Sequence, residues 1–130
     1  MQTLTPTDRV LGVIKSVYDA WADGDATAFV EFYTDDATVV QPAIHKKNKD
    51  DIYTSMAAGF AGPLKGSRVH DEPGSVRFFG FDTAVIITEG GILMAGQDEV
   101  PAERLVRATW VFVRQNDEWR VAAYHNSPVH

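Results

Sequence analysis

Few side chains of this 130-residue chain have the type and spacing needed for chemistry. It has no cysteine, so disulfides, thiolate metal ligands and a cysteine nucleophile are excluded. The four histidines form neither a His-x-His pair nor a helical i,i+4 pair, so we expect no bound metal. The chain contains no Gly-x-Ser-x-Gly elbow and no Gly-x-Gly-x-x-Gly fingerprint, and we expect no cofactor. Composition alone does not exclude a Ser-His-Asp triad. Acid–base chemistry is a second possibility, because burial can move the pKa of a carboxylate or a histidine toward neutrality.

The polar groups near the C-terminus alternate along a predicted strand. Side chains of a strand point to its two faces in turn, so Tyr124 and Asn126 share a face with Arg120 and Ala122, opposite to His125. Either Asn126 or His125 therefore faces the interior, unless a bulge intervenes. The preceding strand, near Leu105–Arg114, carries apolar residues on both faces. This pattern fits a curved sheet with helices on its concave face and a second copy on its convex face, so we expect a homodimer.

Three helices are predicted to precede the sheet. Thr5, Pro6 and Asp8 form a helix-start signature with a capping box. Asp25 can cap a short second helix, and Asn48 or Asp50 can cap a third. The first helix has an apolar stripe at three- and four-residue spacing, formed by Val10, Val13, Ile14, Val17, Tyr18 and Trp21.

The rest of the chain has the period of strands. Ala37–Gln41 is predicted to be a strand that follows a turn at 34–36. Gly90-Gly91 indicates a bulge or bend inside a long strand. Helices followed by an antiparallel sheet indicate one α+β domain over residues 1–130. Further strands are predicted near 68–70, 75–79, 83–94, 105–114 and 119–126, with a hairpin at 115–118.

Charge and hydropathy exclude several classes of protein. The net charge is −6, which opposes nucleic-acid binding through a basic surface. No run approaches the roughly 20 apolar residues of a membrane span, and Met1 to Asp8 contains no signal-peptide apolar region. We therefore expect a cytoplasmic protein that binds neither nucleic acid nor membrane.

Several local motifs resemble the nuclear-transport-factor-2-like, or SnoaL-like, superfamily. They are Ala-Asp-Gly-Asp at 22–25, Tyr-Thr-Asp-Asp-Ala at 33–37, and Trp-Arg-Val at 119–121 leading to His-Asn-Ser at 125–127. The resemblance implies a cone-shaped α+β fold, in which three N-terminal helices pack into a highly curved, mostly antiparallel sheet. The segments 59–66 and 107–111 look more narrowly like the SgcJ/EcaC group, which occurs in bacterial secondary metabolism, including enediyne polyketide pathways.

The superfamily shape implies a pocket inside the cone. The residues then expected to bind substrate are Tyr18, Trp21, Tyr33, Gln41, Trp110, Tyr124 and Asn126. His125 or Glu89 is the predicted catalytic base, with Glu89 placed beside the Gly90-Gly91 bend. Tyr124 and Asn126 would orient the substrate or polarise a developing enolate oxygen.

Several of these candidates also have a structural interpretation. Trp21 and Trp110 suit a hydrophobic core, and the hydroxyl of Tyr124 needs a partner when buried, with or without a ligand. His125 could be a core or edge histidine. Arg107 is expected to pair with a carboxylate, although it could anchor an acidic ligand instead.

Three functions fit these observations. The first is a cofactor-free isomerase, dehydratase or cyclase that acts on a hydrophobic, polyketide-like molecule. The second is a protein that binds or shields such an intermediate without chemistry. The third is an oligomerisation scaffold with an interior filled by its own side chains. Fold alone does not choose among them.

Overall fold

The computed structural model describes residues 4–130, which begin with two of the expected helices. Helix α1 spans Pro6–Ala22 and starts with the predicted capping box between Thr5 and Asp8. Helix α2, Ala26–Glu31, is capped by Asp25, whose carboxylate accepts a hydrogen bond from the Ala28 N–H at 3.0 Å. Both helix starts are confirmed, since a side-chain acceptor satisfies a backbone N–H that has no partner within the helix.

Helix α3 follows the first two strands and spans Lys49–Ala61. Asn48 caps it by accepting from the Asp51 N–H at 2.8 Å, which decides between the two predicted caps. Ile52, Met56 and Phe60 form its buried face, as their four-residue spacing predicts. No helix within residues 4–130 is long and apolar enough to cross a membrane.

Within residues 4–130, six strands form one curved, mostly antiparallel sheet. The strand bounds are β1 Tyr33–Gln41, β2 Ile44–Lys46, β3 Arg68–Phe79, β4 Thr83–Leu93, β5 Val106–Gln115 and β6 Glu118–Pro128. The spatial order of these strands is β2-β1-β6-β5-β4-β3, in which β1 and β6 are the parallel pair. The short strand β2 and the strand β3 therefore lie at opposite edges of the sheet.

Three strand predictions need correction. Residues 34–36 are part of β1 and not a turn, and Tyr33 begins that strand. The short β2 was not predicted; it follows Ala43, which adopts a left-handed φ of 63° in the tight connection. The segments near 68–70 and 75–79 are one continuous strand, β3, because Pro73 and Gly74 sit in an irregularity of its pairing and do not end it.

Two bulges change which side chains face the core. The register of β3 shifts between Pro73 and Ser75. The register between β5 and β6 shifts where Phe112 pairs with Val121 while Val111 pairs with Ala123. One extra residue, Ala122, therefore reverses the alternation on β6. As a result Trp119 and Val121 are buried on the same side as Tyr124 and Asn126.

The hydrophobic core lies between the helices and the concave side of the sheet. Trp21 of α1 meets Phe29 of α2 and Phe60 of α3 edge to face, with ring centroids 6.1 and 5.6 Å apart. Trp110 and Phe112 of β5 stack on each other and are 1% and 0% exposed, and Trp110 also contacts Tyr18 of α1 edge to face. Such aromatic contacts hold the three helices to one another and leave space between α1, α3 and the sheet.

Candidate functional site

A cavity of about 410 Å³ occupies the space between the helices and the concave sheet face. Its size lies within the range of small-molecule sites. The lining is predominantly apolar and includes Val17, Phe29, Val39, Ile52, Met56, Val69, Ile92, Val106 and Ala108. A few polar side chains interrupt this lining, and they determine what the cavity could do chemically.

The carboxylate of Asp71 lines the cavity. Asp71 lies on β3 two residues after Val69, so both side chains face inward. The hydroxyl of Tyr18, on α1, donates a hydrogen bond to Asp71 Oδ2 at 2.7 Å. Burial, and then the negative charge of Asp71, raise the pKa of Tyr18 far above its ordinary value. Tyr18 therefore remains a hydrogen-bond donor that fixes the orientation of the carboxylate.

A second polar group comes from β6. The Asn126 amide donates from Nδ2 to the hydroxyl oxygen of Tyr124 at 2.9 Å. Tyr124 packs edge to face on Trp110, with centroids 4.6 Å apart. Burial raises the pKa of Tyr124 to about 12, and the hydrogen bond from Asn126 opposes that rise. Because the hydroxyl accepts from Asn126, its own proton is available for a ligand oxygen in the cavity.

Polar groups also line the other edge of the sheet. Gln41 of β1 and Lys46 of β2 both border the cavity. Desolvation by burial lowers the pKa of Lys46. The hydroxyl of Tyr33 is also at the cavity; burial raises its pKa, and a smaller contribution comes from Tyr124.

The tryptophan N–H groups serve the fold. Trp110 Nε1 donates to Thr88 Oγ1 at 3.1 Å, and Trp21 Nε1 donates to Ser67 Oγ at 2.9 Å. Both indoles thus have protein partners and offer the cavity only their apolar rings.

The structure brings seven of the nine sequence-derived site residues together. These seven line the cavity: Tyr18, Trp21, Tyr33, Gln41, Trp110, Tyr124 and Asn126. Whether they bind a substrate remains a prediction.

Glu89 and His125, the two candidate bases, lie elsewhere. Glu89 is exposed and faces Arg107 across the β4–β5 pair, with 3.6 Å between Oε2 and Nη2. His125 is exposed opposite Thr109 and Val40. Neither side chain borders the cavity, so their predicted inward placement is wrong. Glu89 pairs with Arg107 in an unshifted part of the β4–β5 ladder, and its side chain points away from the cavity. Asn126 faces the cavity, so the side chain of its neighbour His125 points to the opposite face of β6. The expected pairing of Arg107 with a carboxylate is present.

Sequence reasoning missed Asp71 and Lys46. The strand predicted near 68–70 ends before Asp71, and no strand is predicted at 44–46, so the sequence does not indicate the inward orientation of either side chain. The available signal was the alternation of Val69 and Asp71, which indicates an inward carboxylate once β3 is known to continue.

The buried tyrosines predict a loss of stability at alkaline pH. Tyr18, Tyr33 and Tyr124 keep their protons in the folded chain above pH 10, where unfolded tyrosines ionise. The unfolded state then binds fewer protons, so the free energy of unfolding falls as pH rises, by up to about 1.4 kcal/mol per pH unit for each tyrosine. Urea unfolding at pH 9, 10 and 11 measures this fall, and Tyr18→Phe should make it shallower. Equal slopes in the wild type and this variant would contradict the assignment.

Several solved structures have folds similar to that of this chain. A cystatin-like domain of unknown function from Nostoc punctiforme superposes with a TM-score of 0.85 at 22% identity, covering 98% of this chain and 80% of that one. An NTF2-like protein from Novosphingobium aromaticivorans gives 0.81 at 19% identity, covering 95% and 81%. A ketosteroid isomerase-like protein from Erwinia carotovora atroseptica gives 0.72 at 19% identity, covering 94% and 95%. The chain thus has the cystatin-like, NTF2-like α+β fold.

The family follows from the sequence itself. The SnoaL-like domain family matches residues 10–130, nearly the whole chain, and the chain belongs to that family. No curated protein matches it. The expected superfamily and fold class are therefore confirmed, while the structural likenesses at this level of identity show the fold alone.

Proposed function

We propose that this protein is a cofactor-free enzyme that moves a proton within a hydrophobic small molecule, with Asp71 as the general base. One observation carries the proposal: the Asp71 carboxylate and the Tyr124 hydroxyl border the same apolar cavity, and a neighbouring side chain orients each of them. A carboxylate held in a fixed orientation at the wall of a cavity can act as a general base toward a bound substrate.

The reaction class follows from these two groups. Asp71 removes a proton from a carbon next to a substrate carbonyl, and the C–H electron pair becomes part of an enolate. Tyr124 donates its hydroxyl proton as a hydrogen bond to the enolate oxygen, and Asn126 holds Tyr124 in place. Asp71 then returns the proton to another carbon of the conjugated enolate, which completes an isomerisation without net change in charge or oxidation state.

The binding-only alternative does not require a carboxylate at Asp71. Shape and apolar contact are enough to hold a hydrophobic ligand. Asp71 accepts the hydrogen bond of the Tyr18 hydroxyl, which a neutral acceptor could also do, and a carboxylate at that place adds a base that binding alone does not use. The open volume of the cavity also disfavours a scaffold with an interior filled by its own side chains.

The experiment that tests the proposal measures proton exchange. Small apolar ketones, among them 3-cyclohexen-1-one, are incubated with the protein in D₂O, and NMR follows deuterium incorporation and migration of the double bond. We expect protein-dependent exchange at the carbon next to the carbonyl. Tight binding of such ketones without any exchange would instead support the binding function.

The subgroup, the substrate class and the cellular location also belong to the proposal. The motifs at 59–66 and 107–111 support membership of the SgcJ/EcaC group. We infer on that basis a polyketide-like intermediate of bacterial secondary metabolism, such as an enediyne pathway, as the substrate, and a cytoplasmic location.

We further propose that the protein is a homodimer through the convex sheet face. Val85 and Ile87 of β4 and Val111 and Val113 of β5 lie partly exposed on that face, side by side in the β4–β5 register. A second copy would remove this apolar surface from water.

The dimer predicts a specific mutational response. Light scattering should give a mass of about two chains at micromolar concentration, and Val111→Glu should reduce it to one because the charge would be buried against the partner. Phe81→Glu is the matched control, since Phe81 is 85% exposed at the β3–β4 turn, away from this face, and should leave the dimer intact. A wild-type mass of one chain at all concentrations would refute the dimer.

A further inference from the structure

The cavity has charged groups from opposite edges of the sheet. Lys46 lies on the edge strand β2 and Asp71 on the edge strand β3, with four strands between them. Both nevertheless border the same cavity, because the sheet curves around it. The lining between them is largely apolar, with Val39 and Trp110 contributed by intervening strands. A ligand that fills this space meets a base at one side and a cation at the other.

The strand register explains why Lys46 faces inward. Val39 and Gln41 are two residues apart on β1 and share its inner face. Lys46 pairs directly with Val39 across the β1–β2 ladder, so its side chain lies on that same face. The amide of Gln41 and the ammonium of Lys46 therefore border one end of the cavity together.

The Lys46 ammonium has no anionic partner within residues 4–130. No carboxylate of that range lies within 4.0 Å of its Nζ, which instead donates to the thioether sulfur of Met56 at 3.9 Å. A thioether is a weak acceptor. A half-buried ammonium with such a partner carries a desolvation cost, and an anion placed beside it would offset that cost.

We propose that Lys46 binds a carboxylate of the substrate, which is therefore an elongated apolar acid with its reactive carbon near Asp71. This inference specifies the ligand of the proposed proton-transfer site and rests on that proposal for the role of Asp71. A single ammonium beside one amide suits a carboxylate. A phosphate is usually held by several N–H donors or by the fork of an arginine.

Arg104 is the competing cation. It lies in the 3₁₀ turn Ala102–Arg104 and also borders the cavity, beside Glu103. Both side chains are exposed at the rim, where water screens their charges. Arg104 therefore provides a matched control for a cation at the same cavity.

The test compares two probes that differ only in the charged end. Binding of 4-phenylbutyrate and 4-phenyl-1-butanol is measured by calorimetry at pH 7. The wild type should prefer the acid by about tenfold or more, as expected for a charge-assisted hydrogen bond. Lys46→Met should abolish this preference while binding of the alcohol stays within about twofold, which also shows that the cavity is intact. Lys46→Arg and Arg104→Met should retain the preference.

Several results would overturn the assignment. They are a wild type that does not prefer the acid or does not bind it, a Lys46→Met variant that keeps the preference, and an Arg104→Met variant that loses it. If Lys46→Met fails to fold, Lys46→Gln replaces it. Because binding is measured without turnover, acid binding through Lys46 without proton exchange would refute only the catalytic proposal. Exchange without a Lys46-dependent preference would refute only this inference.

Discussion

Asp71→Asn is expected to lower the rate of proton exchange by about 10²- to 10⁴-fold, the range of general-base catalysis. The amide has nearly the same shape as the carboxylate, and its oxygen can still accept the hydrogen bond from Tyr18. It cannot accept a proton from carbon at neutral pH. The rate of deuterium incorporation into the ketone substrates measures the loss, and binding of 4-phenyl-1-butanol should remain unchanged.

Two kinds of control make this prediction specific. Asp19→Asn removes another carboxylate of the same region, one that forms an exposed ion pair with Lys15 on α1, and should leave the rate within about twofold. Glu89→Gln and His125→Ala distinguish the two assignments of the base. Their outward placement predicts retained activity. A large loss in either variant, with full activity in Asp71→Asn, would restore the assignment made from sequence.

Gly90→Ala is expected to destabilise the fold by about 3 kcal/mol, near the upper end of the usual cost of overpacking. A Cβ at Gly90 would lie 2.1 Å from the carbonyl oxygen of His70 and 2.4 Å from the Cα of Asp71. These are backbone atoms of the paired strand β3, so no side chain can rotate away and the strand itself has to move. The melting temperature should fall by roughly 10 °C.

The same substitution should impair the site. Asp71 pairs directly with Gly90, so a displaced β3 carries the carboxylate away from its place beside Tyr18. Proton exchange should therefore fall even at temperatures where the variant is folded. Gly12→Ala is the matched control: its Cβ meets nothing within 4 Å on the exposed side of α1, and the helix should gain about 0.5–1 kcal/mol. An unchanged melting temperature in Gly90→Ala would show that β3 does not approach β4 as described.

The paired glycines Gly90 and Gly91 show what a local sequence pattern predicts and what it leaves undetermined. Their position inside a long strand predicts a bulge or bend. In the structure the β3–β4 pairing continues through Gly90 and Gly91 without a shift, and the bulge lies on the partner strand between Pro73 and Ser75. Gly90 allows the backbone of β3 to lie close to that of β4, and the sequence alone does not identify β3 as the neighbouring strand.

The sequence by itself determined the helices, their caps, most of the strands and the superfamily. These features depend on neighbouring residues: Thr5 and Asp8 close one capping box, and the stripe of α1 has a period of 3.6 residues. Alternation and resemblance also indicated several of the polar side chains that border the cavity, Tyr124 and Asn126 among them.

Only the tertiary structure decided which titratable groups face the cavity. The orientation of a strand residue depends on the register with its partner and on bulges along the way, and both are fixed by contacts distant in sequence. The continuation of β3 past His70 places Asp71 inside, and the ladder with Arg107 places Glu89 outside. The pairing of β2 with Val39 turns Lys46 inward. The chemistry proposed for this protein therefore depends on strand pairings that cannot be inferred from the sequence of any one strand.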